Sequence, residues 1–244
     1  MKYSYYVYDN IINDKLQKEI WQHLLNQTYF AKRKSEENRK IIKDIIQYKP
    51  IDNKKEYLNK DLPNVNDQNM HRTTFGNNEE EIKIHPPISQ LWNKVKEVIG
   101  AEWNINGDPE GIVKNPNLIE SRVYVNIQPT EEIKKSHAIH RDTTNINETN
   151  NYTLLYIANP EWHPSWFAEN IFYEDDESSL DRQQFQYGHG QSRNFGIGDP
   201  YAIISPKPGR VILYDGRTLH TTRPAAIWAK EMRYAVAFRI RKTR

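Results

Sequence analysis

His140-Arg141-Asp142 sets an imidazole and a carboxylate two residues apart. On an extended chain such residues point to the same side, so both can meet one metal ion. A third ligand must come from elsewhere, and His220 is the best candidate: it follows the apolar run Val211–Tyr214 and the turn Asp215-Gly216-Arg217. Two imidazoles and one carboxylate occupy one face of an octahedron. Three positions stay open, which suits non-haem Fe(II) with a bidentate oxoacid and O₂. An acid chelated at one end needs a cation at its far carboxylate, and the planar fork of arginine fits that task. Arg233 opens a strand-like run ending at Phe238, and an antiparallel strand there would bring it back beside the metal; Arg223 and Lys230 are its rivals. A His-x-Asp triplet alone is commonplace. The ordered set of triplet, distal histidine and arginine singles this one out. His23, His71, His85, His163 and His189 show no comparable arrangement, and His137, three residues before His140, faces away on an extended chain.

Composition narrows the alternatives. The 244 residues include no cysteine, which excludes disulfides, thiolate metal sites and cysteine nucleophiles. Lys and Arg number 34 against 32 Asp and Glu, a formal charge of +2. That balance lacks the clustered basic footprint of a nucleic-acid binder. The basic residues Arg239, Arg241, Lys242 and Arg244 read as a solvated tail. No apolar run approaches the roughly 18 residues of a membrane span, and the opening Met1–Tyr6 lacks the apolar core of a secretory leader. The expectation is a cytoplasmic protein with no membrane partner, acting on a small molecule or peptide.

These side chains need a scaffold. Tyr3–Tyr8 alternates and predicts a short strand. Asn13 or Asp14 caps a helix to about Gln27, with Leu16, Ile20 and Leu24 at helical spacing. A second helix fits Pro87 to Ile99, with Ile88, Leu91, Trp92, Val95 and Val98 on one stripe and Gly100 as its stop. Residues 31–69 are charged and broken by Pro50 and Pro63, and read as helix fragments and surface loops. From about Leu118 the period becomes two: strands are predicted at Arg122–Gln128, Tyr152–Ile157, Asn170–Tyr173, Ala202–Ile204, Arg210–Tyr214 and Arg233–Phe238. Short strands between Asn, Pro and Gly turns argue for a sandwich or jelly roll. The polar segment Glu174–Pro200, with its glycines, has the length and freedom of a lid. Tyr124 and Asn126 share a strand face and are candidate pocket residues. Trp162, with Trp166 and Trp228, is either a substrate surface or packing.

The ordered set resembles the Fe(II)/2-oxoglutarate-dependent dioxygenases, in particular their prolyl-4-hydroxylase-like branch. Leu155–Trp162 resembles that branch's "YLN..W" segment, Trp166–Phe172 stands in place of its "GGET.F" segment, and Pro208–Tyr214 resembles its "pG.lvlF" strand. The likeness is good over 118–240 and loose before it. It implies a double-stranded β-helix, or jelly roll, in one oxygenase domain, with 1–117 as helical support and 118–240 as the core. It further implies Fe(II) on His140, Asp142 and His220, the distal carboxylate of 2-oxoglutarate on Arg233, and help from the Tyr156 hydroxyl. The implied reaction is C–H hydroxylation using O₂, on a prolyl residue of a peptide or protein. A free amino acid or other small metabolite is the alternative substrate, and an inactive jelly-roll binding protein the alternative function. Two departures stand out: Phe167 and Ala168 replace two glycines of the family segment, and the gap from His220 to Arg233 is long.

Overall fold

The computed structural model describes residues 2–27, 30–31, 71–105, 119–128, 139–143, 147, 151–175, 185–186, 192–193 and 197–241. In chain order the elements are β1 (Tyr5–Tyr8), α1 (Asp14–Leu25), β2 (Phe30–Ala31), β3 (His71–Gly76), α2 (Glu79–Ile82), α3 (Pro86–Ile105), β4 (Ile119–Gln128) and β5 (Asn151–Ile157). A one-turn 3₁₀ helix, Pro164–Trp166, precedes β6 (Asn170–Asp175), β7 (Phe185–Gln186), β8 (Ser192–Arg193), β9 (Ile197–Ile204), β10 (Val211–Asp215), β11 (Leu219–Thr222) and β12 (Arg233–Arg241).

Seven strands form a major sheet in the order β1-β10-β5-β12-β4-β3-β2, and three form a minor sheet, β11-β6-β9. All of these pairings are antiparallel. This is the expected jelly roll, with strands from the N-terminal region extending both edges of the major sheet. Side-chain alternation gives the major sheet two different faces. Val125, Leu154, Val211, Leu213, Val236 and Phe238 pack against α1 and α3. Tyr124, Leu155, Ile212, Tyr214 and Ala237 face Phe172, Ala202 and Ile204 of the minor sheet. The candidate site lies in this second layer.

The helices form as their patterns predict, with one correction. The Asn13 side chain accepts from the Leu16 amide at 2.9 Å and starts α1, whose buried residues are Leu16, Ile20 and Leu24. α3 runs through Gly100 to Ile105. Its buried stripe is Ile88, Leu91, Trp92, Val95 and Ile99, with Val98 only partly covered. Packing of this stripe overrides the glycine's roughly 1 kcal/mol helix penalty: each fully buried Leu or Ile contributes about 1.5–3 kcal/mol, and Trp92 stacks on Phe238 of β12 at 5.2 Å. Residues 32–69, His137 and most of the predicted lid lie outside the described residues. Within the lid segment, β7 pairs with β8 and β9 begins at Ile197.

Candidate metal centre

The triad is assembled by backbone pairing. His140 and His220 form an antiparallel bridge, each amide donating to the other's carbonyl at 2.9 Å. The Asp142 and Thr143 amides both donate to the Gly216 carbonyl at 2.9 Å. A Cβ on Gly216 would stand 3.1 Å from the Asn151 carbonyl oxygen, so glycine lets this turn press against β5. Arg141, between the two ligands, points the other way and pairs with Asp175 of β6 at 2.6 Å. Alternation thus pins the segment on one side and presents its ligands on the other.

The ligand atoms of His140, Asp142 and His220 lie within 4.8 Å of one another. His140 Nε2 is 3.6 Å from Asp142 Oδ1, and His220 Nε2 is 3.8 Å from Oδ2. Ligands at about 2.0–2.2 Å from one ion stand about 3 Å apart when adjacent, so the two His–Asp distances need to shorten by under about 1 Å and the widest separation by up to about 2 Å to close on one ion. His220 Nδ1 lies 2.9 Å from the Thr218 carbonyl. A carbonyl only accepts, so the proton is on Nδ1 and Nε2 carries the lone pair, with the Tyr214 hydroxyl 3.2 Å from it. Burial lowers the His220 pKa and keeps the ring neutral, although Asp142 pulls the other way. Burial alone would raise the Asp142 carboxyl. The Arg239 guanidinium, with the Thr153 hydrogen bond, opposes it, and the group is held far below the carboxylate range. Asp142 is therefore ionised and the imidazole basic, the states a cation requires.

Three donors hold the Asp142 carboxylate. Thr153 Oγ1 donates to Oδ2 at 2.6 Å, the Tyr214 hydroxyl donates to Oδ2 at 2.9 Å, and Arg239 Nη2 donates to Oδ1. None of the three is evident from the triplet itself. Arg239 in particular is no part of a solvated tail: it lies six positions after Arg233, on the same strand face, and its side chain is 18 % exposed. Strand parity counted from Arg233 was the signal that could have found it.

At the other end of β12, Arg233 is 4 % exposed. Its Nη2 donates to Asn170 Oδ1 at 3.3 Å, and Thr222 Oγ1 donates to the same oxygen at 3.1 Å. Thr222 follows His220 by two on β11, so this chain of contacts leads back to the metal ligands. No carboxylate among the described residues pairs with Arg233, and its Nε has no hydrogen-bond partner. Burial pushes its pKa down to about 10, opposed weakly by Tyr214. The rivals are on the outside: Lys230 is exposed, and Arg223 lies over the Phe167 ring at 3.8 Å, 3.9 Å from Glu169.

Tyr156 requires a correction. It pairs with Val211 and Val236 and packs with them in the helix-side core. Its hydroxyl is buried without a partner, and burial raises its pKa. Parity puts it on the face opposite Arg233, so it cannot touch a ligand in the second layer. Tyr124 and Asn126 do lie on the Arg233 face, Tyr124 buried and Asn126 half-buried. Trp162 is a loop brace, its indole N–H donating to the Phe167 carbonyl at 3.0 Å. The long gap before Arg233 folds onto that same loop: Phe167 bridges Ala225, the Ala226 amide donates to Trp166 O, and Trp228 Nε1 donates to Ser165 O. Phe167 and Ala168 have φ of 60° and 67°, the left-handed region that explains glycine in the family segment.

No family model matches the sequence, and no curated protein does. Solved structures do match in shape. A prolyl hydroxylase from Trichoplax adhaerens, in complex with a hypoxia inducible factor peptide fragment, aligns over 97 % of this chain and 83 % of its own, at 16 % identity and TM-score 0.55. The non-haem alpha ketoglutarate dependent epimerase SnoN from nogalamycin biosynthesis aligns over 98 % and 79 %, at 10 % identity and TM-score 0.52. The chain has the fold of the 2-oxoglutarate oxygenases. AviO1 from Streptomyces viridochromogenes Tue57 shares it too, over 98 % of this chain and 90 % of its own, at 11 % identity and TM-score 0.51. The residues here fit the groups that fold implies: three converging donors for a divalent ion, with Asp142 ionised and His220 neutral, and a buried guanidinium with no carboxylate partner among the described residues. Among the described residues no helix is long and apolar enough to cross a membrane.

Proposed function

We propose that this chain is an Fe(II)- and 2-oxoglutarate-dependent oxygenase that hydroxylates a C–H bond, with a prolyl residue of a peptide or protein as substrate. The observation that carries the reading is Arg233, 4 % exposed and with no carboxylate partner among the described residues, in the same layer as a two-histidine, one-carboxylate cluster. Burying a charge without its counter-ion is costly, and a dicarboxylate anchored beside it removes that cost. His140, Asp142 and His220 would hold the ion, and Arg233 with Asn170 and Thr222 would hold the far carboxylate of the cosubstrate. When bound, the two groups supply oxidative decarboxylation of 2-oxoglutarate to succinate and CO₂, coupled to oxygen insertion into a C–H bond. The protein's part is orientation and exclusion of water.

His140 is the outward ligand, its side chain 44 % exposed against 6 % for the other two, so substrate approaches from its side. Tyr124 and Asn126 line the inner wall of the pocket, and Trp162 acts indirectly by fixing Phe167. The peptide reading is supported by the neighbour that binds a peptide fragment; the epimerase among the neighbours keeps small metabolites as the competing class.

The test supplies Fe(II), 2-oxoglutarate and O₂ and measures succinate, with His220→Ala as control. Succinate from the wild type and none from the variant is the expected result. A wild type that binds Fe(II) and 2-oxoglutarate yet forms no succinate with any substrate pool would make the chain a binding protein. Proline-containing peptides and free amino acids are then compared for the mass gain of one oxygen atom. Gain only on free amino acids overturns the peptide assignment.

A further inference from the structure

Arg239 is a charged group that touches a metal-ligand candidate, Asp142. It reaches Asp142 Oδ1 through Nη2 and the Thr153 hydroxyl through Nη1, the latter at 2.7 Å. Each carboxylate oxygen accepts about two hydrogen bonds. Oδ2 is already filled by Thr153 and Tyr214. Oδ1 accepts from Arg239 and keeps one lone pair. An ion entering the triad therefore meets Asp142 on the oxygen that Arg239 already holds. Ion and guanidinium share one acceptor in a layer where Asp142 is 6 % and Arg239 18 % exposed, and charge interactions there are screened far less than in water.

We infer that Arg239 is a built-in competitor for the metal: it pre-orders the Asp142 carboxylate and at the same time holds the ion affinity of the centre below what the three ligands alone would give. The usual brace on a metal ligand has the opposite sign. Removing such a brace typically weakens metal binding about 10–100-fold, because the ligand loses its orientation. Here the orientation does not rest on Arg239 alone, since Thr153 and Tyr214 fix the same carboxylate from the other oxygen. What Arg239 adds beyond a hydrogen bond is a positive charge. That charge opposes a dication twice as strongly as it would oppose a single charge. It makes Arg239 a positioning residue that sets how readily the ion exchanges.

The inference rests on the triad being the metal site, and the experiment separates the two. Mn(II) is titrated into the full chain and free ion is followed by electron paramagnetic resonance. If His220→Ala binds Mn(II) as well as the wild type, the metal-site reading fails and Arg239 is not at issue. If His220→Ala loses Mn(II), Arg239→Gln decides. It keeps a donor and removes the charge, and is expected to bind Mn(II) at least about tenfold tighter. Arg239→Lys keeps the charge and is expected to stay within about threefold of the wild type. Tyr214→Phe, which loosens Oδ2, is expected to bind more weakly. Unchanged or weaker binding in Arg239→Gln overturns the inference, and so does a Lys variant that tightens as much as the Gln variant. Should Arg239→Gln unfold without metal, folding on addition of Mn(II) supports the inference, because the ion then replaces the guanidinium; failure to fold at saturating Mn(II) overturns it.

Discussion

The two ends of β12 carry the same side chain to different effect. Arg239 enters the layer between the sheets and finds Asp142. Arg233, six residues earlier on the same face, enters the same layer and among the described residues meets the neutral amide of Asn170 and no carboxylate. Burial is severe at both. Asp142 raises the pKa of Arg239 despite burial, whereas burial leaves Arg233 with a pKa of about 10. One end is complete as a folded structure. The other holds a buried charge with no carboxylate partner among the described residues. On the proposed function, that is the place the cosubstrate's far carboxylate would fill.

The harshest way to break this contrast is Asp142→Ala. It removes a candidate metal ligand and leaves Arg239, like Arg233, without a carboxylate partner among the described residues. Metal binding is expected to disappear and stability to fall by about 3–5 kcal/mol, read by urea unfolding; a loss below about 1 kcal/mol would mean that Arg239 reaches water. Next comes Arg233→Ala, expected to weaken 2-oxoglutarate binding by about 2–5 kcal/mol, roughly 30-fold or more, with metal affinity retained. Calorimetric titration checks both, and unchanged 2-oxoglutarate affinity would return the clamp to Arg223 or Lys230. A smaller effect sharpens the contrast: Arg233→Met without ligands should stabilise the fold by about 1–3 kcal/mol, since it removes a buried unpaired charge.

The mildest test uses a more exposed pair as a yardstick. Asp9 meets Arg210 at 2.8 Å and Lys207 at 3.0 Å, tying the end of β1 to the start of β10. The Arg210 hydrogen bond, against burial and with help from Lys207, holds the Asp9 carboxyl down to about 2. A depressed carboxyl stabilises the fold above its unfolded pKa, near 3.8, and loses that contribution as pH falls toward 2. With solvent screening, Arg210→Ala should cost about 1 kcal/mol at pH 6. The gap between wild type and variant should narrow below about pH 4 and close only as pH falls through about 2, followed by chemical denaturation across pH. A gap that persisted there would assign the loss to packing.

The sequence was most legible where a local period or a short spacing carries the information. α1, the strands of the second half and the two ligands of the triplet follow from alternation and helical repeat. It was least legible where a tertiary contact decides. Gly100 is a stop by propensity, yet Ile99 is held in the core and the helix continues. Tyr156 was assigned by its place in a segment, while its parity relative to Val236 puts it on the wrong face. Arg239 sat in a run of basic residues, and only the register Arg239↔Thr153 brings it to Asp142. The β3 strand, His71–Gly76, gave no alternating signal to read, because its face is set by pairing with β4.

The position of β12 has a consequence for how the protein is made. It is the last of these strands to be synthesised, and it sits in the middle of the major sheet, between β5 and β4. Until it arrives, β4 and β5 each leave a backbone edge open, the kind of edge that pairs with other chains. Both arginines of the centre travel on this strand. The candidate ligands can be present on a growing chain while the proposed clamp, Arg233, and the hold of Arg239 on Asp142 are still missing. Assembly of this layer therefore waits for β12, and a chain cut short before Arg233 loses the middle of its sheet along with both arginines.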